Sequence, residues 1–198
     1  MHLPVMEHFF TIQGEGRHAG RAAYFVRLGG CDVGCVWCDV KESWDALKHK
    51  RYSVKEIAEW VRQSGAKACV ITGGEPLMHK LDELTNALQN LGIETWLETS
   101  GAYPISGTWN WICVSPKKFK APLPEVLQKA DELKVVVYNE TDFKWAEQNA
   151  VHTKLDCVLF LQPEYSRFKK MIPIMVVYCK LNQKWNISIQ IHKVMGVE

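Results

Sequence analysis

The chain has 198 residues, 47% hydrophobic and 23% charged, a composition typical of one globular domain with a sizeable core. Its formal net charge of +2 is too small to favour nucleic acid as the main partner. No apolar run approaches the roughly 18 residues of a membrane span, and no basic segment followed by an apolar run marks a secretion signal. We therefore expect a single domain over residues 1–198 that acts in the cytoplasm, with neither a membrane nor a nucleic-acid partner.

Strands and helices are predicted in alternation along most of the chain. The first predicted strand, Ala23–Leu28, ends directly before a group of cysteines. Ser53 and Glu56 have the spacing of a capping box, which predicts that a helix begins there. In chain order, the later elements are expected as a strand at 68–72, a helix at 80–91, strands at 93–98 and 111–115, a helix at 125–130, a strand at 133–137, a helix at 142–149, a strand at 157–161, a helix at 167–181 and a strand at 187–191.

This alternation predicts an α/β fold with a mostly parallel sheet and right-handed crossovers. A complete eight-unit barrel needs about 250 residues, so we expect an incomplete, shortened (β/α) barrel. Active sites of such folds lie at the carboxyl ends of the strands. Three unusual segments follow predicted strands and are expected to meet on that face: Gly29-Gly30-Cys31, Gly73-Gly74-Glu75-Pro76 and Ser115-Pro116-Lys117.

Three of the seven cysteines, Cys31, Cys35 and Cys38, lie within eight residues in the spacing C-x3-C-x2-C. Thiolates this close can ligate three irons of a [4Fe-4S] cluster and leave the fourth iron open. Trp37 would shield the sulfur atoms from water. Zinc is the main alternative, and it would require a fourth ligand such as His18, His49 or Asp39.

The other four cysteines lie in apolar strand or helix patterns, where a free thiol behaves as a small hydrophobic side chain. They are too widely spaced for a second cluster or a disulfide framework. These residues are Cys69, Cys113, Cys157 and Cys179.

The cysteine motif resembles the signature of the radical S-adenosylmethionine (SAM) superfamily, including the aromatic residue before the third cysteine. Other segments resemble one family within it, the 7-carboxy-7-deazaguanine synthases, and they follow the family order over nearly the whole chain. They are the segments 10–16 (FTIQGEG), 25–31 (FVRLGGC), 37–39 (WCD), 72–76 (TGGEP), 98–101 (ETSG), 115–117 (SPK), 161–163 (LQP) and 190–193 (QIHK).

The resemblance implies a radical ring contraction of 6-carboxy-5,6,7,8-tetrahydropterin to 7-carboxy-7-deazaguanine, with loss of ammonia, on a route to 7-deazapurines such as queuosine. It implies that an external one-electron donor, similar to a flavodoxin or ferredoxin, reduces the cluster. SAM would then be cleaved to methionine and a 5′-deoxyadenosyl radical, which takes hydrogen from C6 of the pterin before SAM is re-formed. A homodimer, a magnesium requirement and a shortened barrel of the radical SAM type are also implied.

The resemblance assigns residues to each cofactor. Cys31, Cys35 and Cys38 would ligate the cluster. Glu75 would bind the amino group of SAM beside exposed glycine carbonyls, Ser115 and Lys117 would lie near its carboxylate and ribose, and Gln162 would contact the adenosine side. The implied SAM-binding residues are Trp37, Gly73, Gly74, Glu75, Ser100, Ser115, Lys117 and Gln162. Taken alone, these segments are equally typical of a Gly-Gly turn and a solvated basic loop.

For the substrate, the resemblance implies that Gln13 and Glu15 bind the pterin edge, that Arg27 and His192 hold its carboxylate, and that Glu98 is catalytic and handles protons. The implied substrate-binding residues are Ile12, Gln13, Gly14, Glu15, Arg27, Asp39, Thr72, His192 and Glu198. The alternatives are turn chemistry around Gly14, a structural ion pair for Glu98 and an ordinary frayed terminus at 196–198. An arginine inside an apolar strand also requires an anionic partner.

One residue departs from the family pattern. Family members have a threonine after the Cys-Asp pair, and its hydroxyl is a magnesium ligand, whereas this chain has Val40. Magnesium requires oxygen ligands. We therefore expect either that water or a neighbour such as Ser43 replaces the hydroxyl, or that Mg²⁺ dependence is weak.

Two other functions are compatible with the cysteine motif alone. An activase that makes a glycyl radical on a partner protein would need a docking surface and no inward-pointing Arg27 or His192. A metal-binding module without catalysis would not explain why the glycine-rich and Ser-Pro-Lys segments all follow predicted strands.

Overall fold

The protein is a single open sheet with helices packed against it, described by a computed structural model over residues 1–197. The strands are β1 (His2–Ile12), β2 (Ala22–Leu28), β3 (Arg51–Ser53), β4 (Ala68–Gly73), β5 (Glu94–Thr99), β6 (Trp111–Val114), β7 (Glu132–Val137), β8 (Val158–Pro163) and β9 (Trp185–Ile187). The helices are α1 (Val54–Ser64), α2 (Asp82–Asn90), α3 (Pro124–Leu127), α4 (Thr141–Ala150), α5 (Phe168–Leu181) and α6 (Ile191–Met195).

The order of strands across the sheet is β3-β1-β2-β4-β5-β6-β7-β8-β9. The β3-β1-β2 pairings are antiparallel, and every pairing from β2 to β9 is parallel. Because the parallel strands follow one another in chain order, right-handed crossovers place their helices on the same face of the sheet. The mostly parallel α/β fold is confirmed, and the sheet remains open rather than closing into a barrel.

Most predicted elements are present within a few residues of their expected bounds. The capping box is also present, since Ser53 and Glu56 each accept a hydrogen bond from the other's backbone N–H. The prediction for 187–191 was wrong: β9 ends at Ile187, and Ile191 instead begins the short helix α6, which Gly196 terminates in the left-handed conformation. Strand β1 was not predicted because Pro4 and solvent-facing polar residues obscure its pattern, and its pairing with β2 overrides that local signal.

The two faces of the sheet carry different residues because side chains alternate along each strand. On β7, Leu133, Val135 and Val137 enter the main core beneath the helices. Glu132 and Lys134 alternate with these residues and are buried on the opposite face. The lysine in this run is therefore buried on the face of the sheet that carries no helices, and it is not exposed to solvent.

The face opposite the helices is apolar near the amino ends of the strands and polar near their carboxyl ends. The apolar layer consists of Ala23, Ala68, Val70 and Trp96 with Phe25 and Trp111. Two residues further along the strands, the register aligns Arg27 with Thr72, and Glu98 with Cys113 and Glu132. The apolar layer thus forms the floor beneath a polar site.

No helix within residues 1–197 combines the length and hydrophobicity that crossing a bilayer requires.

The core makes a direct prediction for stability. Leu88 on α2 is fully buried in the main core, so Leu88→Ala should lower the free energy of unfolding by about 2–5 kcal/mol because it leaves a cavity. Leu155 is fully exposed, and Leu155→Ala should change the free energy of unfolding by less than about 0.5 kcal/mol. Urea denaturation of both variants measures the difference, and equal losses would contradict this assignment of the core.

Candidate active site at the carboxyl ends of the strands

The carboxyl ends of the parallel strands surround a cavity of ≈ 430 Å³. Nearly every residue predicted for the site lines it. These residues are Ile12, Gln13, Gly14, Glu15, Arg27, Cys31, Cys35, Trp37, Cys38, Asp39, Thr72, Gly73, Gly74, Glu98, Ser100, Ser115, Lys117, Gln162 and His192. Glu75 is buried outside the lining, and Glu198 lies outside the described residues.

The cysteine loop is placed by two neighbouring strand ends. The backbone N–H of Gly74 donates to Leu28, and that of Glu75 donates to Gly30. A Cβ atom at Gly74 would lie 2.4 Å from the Gly30 carbonyl oxygen and 2.7 Å from Cβ of Cys31. Only glycine permits this approach, so the Gly-Gly segment holds the first cysteine against the end of β4.

The three thiols open onto the same cavity. Burial raises the pKa of Cys31, and it raises the pKa of Cys35 to about 11, so both are protonated near neutral pH unless a cation stabilises the thiolate. Across residues 1–197, no three His, Cys, Asp or Glu side chains are gathered tightly enough to hold a single metal ion.

Of the three candidate fourth ligands for zinc, Asp39 lines the cavity beside the thiols, whereas the two histidines lie away from them. His18 stacks on Trp96 with ring centroids 4.0 Å apart, and the His49 ring contacts the Glu42 carbonyl oxygen at 2.8 Å. Neither histidine lines the cavity, so the fourth ligand that zinc would need is supplied by neither of them. A donor set of three thiols beside an open cavity fits an iron–sulfur cluster with one free iron.

Glu75 does not have the orientation expected of a SAM ligand. Its Oε1 accepts hydrogen bonds from Leu77 N at 3.0 Å and Thr99 Oγ1 at 2.6 Å. Its Oε2 accepts from Ser100 N at 2.8 Å and Ser100 Oγ at 2.5 Å. With four donors and no solvent exposure, this carboxylate joins the ends of β4 and β5. Its contact with the ammonium of SAM stays a prediction.

Lys117 turns into the site, so the solvated basic loop is wrong for this residue. Its Nζ donates to the Ser115 carbonyl at 2.8 Å and to Ser115 Oγ at 2.5 Å, and it lies 5.6 Å from the ring centroid of Trp37. Burial lowers the pKa of Lys117. A cation in this position is suited to an anionic group bound beside the cysteines.

Across the cavity from Lys117, two carboxylates share one ammonium. Lys134 Nζ lies 2.5 Å from Glu15 Oε2 and 3.3 Å from Glu98 Oε2. Gln13 Nε2 donates to Glu98 Oε1 at 2.8 Å, and Gln190 Nε2 donates to Glu15 Oε1 at 2.7 Å. The ion-pair alternative for Glu98 is therefore realised within the cavity wall.

The ionisation of this group follows from its contacts. Burial would raise the pKa of Glu15, but the neighbouring Lys134 cation and hydrogen bonds outweigh it and lower the pKa to about 2. Burial would likewise lower the pKa of Lys134, and Glu15 and Glu98 instead raise it well above its usual range. Glu15 and Lys134 are therefore both charged near neutral pH.

Gln162 lines the cavity, and its Oε1 accepts a hydrogen bond from Ser188 Oγ at 2.7 Å. Its contact with the adenosine side of SAM stays a prediction.

Lys134 was missed by sequence reasoning, although a signal was present. It lies inside an apolar strand, which is the same pattern that singled out Arg27. Glu7 was also missed: its Oε1 accepts from Arg27 Nε at 2.5 Å and is the anionic partner that Arg27 required. Arg27 still lines the cavity beside this pair.

His192 lies on α6, where the end of the described chain packs against the segment after β1. Ile191 N donates to Gly14 O at 3.0 Å, and a Cβ atom at Gly14 would lie 2.0 Å from His192 Nδ1. Burial lowers the pKa of His192, so the ring is neutral near pH 7 and offers a hydrogen bond rather than a full charge.

Val40 lines the cavity beside the last cysteine and carries no oxygen on its side chain. Ser43, the proposed replacement ligand, is buried, and its Oγ donates to the Val40 carbonyl at 2.7 Å. Its proton is therefore committed to the backbone.

Comparison with known proteins agrees with this site. Residues 25–138 match the family model described as the radical SAM superfamily. A protein of Flavobacterium psychrophilum named 7-carboxy-7-deazaguanine synthase is 49% identical over 195 residues, covering 98% of this chain and 92% of the relative. One of the same name from Escherichia coli K12 is 33% identical, with both chains fully covered.

A solved structure is also similar. The crystal structure of QueE from Escherichia coli aligns with a TM-score of 0.85 at 31% identity, covering 96% of this chain and 94% of that one. Sequence, architecture and site agree, and the chain belongs to the 7-carboxy-7-deazaguanine synthase family of the radical SAM superfamily.

Proposed function

We propose that this chain converts 6-carboxy-5,6,7,8-tetrahydropterin to 7-carboxy-7-deazaguanine with loss of ammonia, as a radical SAM lyase. The observation that carries the proposal is the composition of the cavity. Three thiols line one part of it, and another part presents two carboxyl groups held by a buried lysine. A donor-rich heterocycle placed between them would meet both.

When bound, the [4Fe-4S] cluster and SAM supply a 5′-deoxyadenosyl radical that abstracts hydrogen from the substrate. Cys31, Cys35 and Cys38 would hold the cluster. The backbone of Gly73 and Gly74 would accept hydrogen bonds from the SAM ammonium, because their lack of side chains leaves the end of β4 open to a ligand. Ser115 and Lys117 would bind its carboxylate.

The remaining walls would orient the pterin. Glu15 and Glu98 would accept hydrogen bonds from its amino and ring N–H groups, with Gln13 adjacent. Arg27 and His192 would bind the C6 carboxylate, His192 as a neutral donor. Ile12, Gly14, Asp39 and Thr72 would complete the surface around the ring.

Glu98 is the group we assign to proton transfer. Its side chain is 26% exposed, against 15% for Glu15, so it is the more accessible carboxylate of the pair. Loss of ammonia requires a proton to reach the departing nitrogen, and Oε1 or Oε2 of Glu98 would carry it.

Exposed apolar residues support proposals for two protein partners. We propose an external one-electron donor of the flavodoxin or ferredoxin type, supported by Val36, which lies between the second and third cysteines and is 70% exposed. We also propose a homodimer, supported by the exposed apolar residues Val176, Val177 and Leu181 on α5. A reducible cluster and free thiols are compatible with action in the cytoplasm.

The reaction is tested by anaerobic reconstitution with iron and sulfide, followed by SAM, a reductant and the pterin. Mass spectrometry should detect 7-carboxy-7-deazaguanine. Cys35→Ala should lose both the iron–sulfur absorbance and the product, because two thiolates cannot hold a site-differentiated cluster. Cys179→Ala, in α5 outside the cavity lining, is the matched control and should retain both.

The alternatives give distinct results in the same assay. SAM cleavage without the deazapurine would indicate another radical reaction. Tightly bound zinc with no SAM cleavage would overturn both the cluster and the reaction.

We further propose that Mg²⁺ stimulates this enzyme only weakly. Val40 supplies no side-chain oxygen and Ser43 is only 1% exposed, so this part of the cavity offers a hard cation few accessible side-chain ligands. Water and the Asp39 carboxylate are the oxygen sources that remain beside it.

A single substitution tests this proposal. Val40→Thr should increase the ratio of kcat/KM with Mg²⁺ to that without it by about tenfold, a gain of roughly 1.4 kcal/mol in transition-state stabilisation. Val151→Thr, the same change at an exposed position, should leave the ratio unaltered. A strict Mg²⁺ requirement in the unmodified protein would contradict the proposal.

A further inference from the structure

Lys134 joins parts of the chain that the sheet does not otherwise connect. Glu15 follows β1 and Glu98 lies on β5, and β2 and β4 separate these two strands in the sheet. The ammonium of Lys134, on β7, contacts both carboxylates while only 4% of its side chain is exposed. Together with the hydrogen bond from Gln13 to Glu98, this buried ion pair links the segment after β1 to β5 and β7.

The acidic groups around Lys134 explain why a cation is needed at this position. Glu15 and Glu98 contact it directly, and Glu132 and Cys113 act on it from its own strand and the adjacent β6. Burial raises the pKa of Glu132, so this carboxyl contributes less negative charge than the other two. Lys117 and His192 also face the group. Without Lys134, two partly buried carboxyl groups would lose the cation that contacts both of them.

The hydrogen bonds leave acceptor capacity on both carboxylates. On each, Lys134 contacts Oε2 and a glutamine amide donates to Oε1. A carboxylate has about four lone-pair sites, so both side chains can still accept N–H groups from a ligand in the cavity. Lys134 orients the two carboxyl groups and leaves them able to accept further hydrogen bonds.

We propose that Lys134 is a positioning residue, which fixes Glu15 and Glu98 as a paired acceptor for the N–H-bearing edge of the substrate. This role rests on the proposed function, because the edge in question is that of the pterin. Lys134 contacts both carboxylates and is their shared counterion.

The test is the affinity of reconstituted enzyme with SAM for the pterin, measured by anaerobic calorimetry from pH 6 to 9. Lys134→Met keeps the length of the side chain and removes the charge. It should raise the Kd for the pterin about 30-fold or more near pH 7, as expected when a buried charge pair is broken. Cluster content and SAM affinity should stay unchanged.

A pH profile separates positioning from simple packing. Without the cation, burial raises the pKa of Glu15, so its carboxyl binds a proton as the pH falls towards neutral and regains charge as the pH rises. The ratio of variant to wild-type Kd should therefore decrease with increasing pH. The ratio cancels titration of the substrate itself, which is the same in both measurements.

Two further variants complete the experiment. Lys154→Met breaks a partly exposed ion pair with Asp131 and should bind the pterin like wild type. Glu15→Gln with Lys134→Met removes both partners of the closest contact, so it should recover thermal stability lost in the single variant while affinity stays weak. If Lys134→Met does not fold, the double variant is compared with the single variant Glu15→Gln. The double variant should bind the pterin more weakly than Glu15→Gln, because Glu98 has lost its cation.

The outcomes distinguish this inference from the function on which it rests. If Lys134→Met binds the pterin as tightly as wild type, and the ratio of variant to wild-type Kd does not change with pH, the positioning role alone would be overturned. Weakened affinity with no pH dependence would also overturn it, since it would indicate direct contact with the substrate carboxylate. Failure of the wild-type enzyme to bind the pterin would overturn both proposals.

Discussion

The active-site cavity depends on one buried ammonium. Strand pairing brings the carboxyl ends of β4 to β8 together, and backbone hydrogen bonds such as that from Ile191 N to Gly14 O hold the segment after β1 beside them. Lys134 adds a charged connection by contacting Glu15 and Glu98 at once. A buried lysine is stable only with anionic partners, so the cation and the two carboxylates each require the others.

A second buried ion, Glu75, serves the opposite side of the cavity in a different way. Its carboxylate accepts four hydrogen bonds from protein groups and fixes the ends of β4 and β5. Its own N–H holds Gly30, directly before the first cysteine. One anion is thus saturated by the protein and organises the cysteine loop, whereas Glu15 and Glu98 retain capacity for a ligand. Burial and available donors, rather than residue type, separate these two roles.

The fold and most of the cavity lining were predictable because their signals are local. Continuous apolar runs mark the buried parallel strands, and glycine-rich or Ser-Pro-Lys segments after them mark the strand ends. The direction in which a side chain points at the site depends on residues that are distant in the sequence. Glu15 and Lys134 are 119 residues apart, and no periodicity in the sequence pairs them. The partners of Glu75 were not predictable for the same reason, since its donors Thr99 and Ser100 lie at the end of the next strand.

The account is tested most directly by an anaerobic crystal structure of the reconstituted enzyme with SAM and the pterin. It predicts pterin N–H groups within about 3.2 Å of oxygen atoms of both Glu15 and Glu98, with Lys134 Nζ still between these carboxylates. A pterin whose carboxylate is bound by Lys134, with Glu15 and Glu98 turned away from the ring, would contradict it.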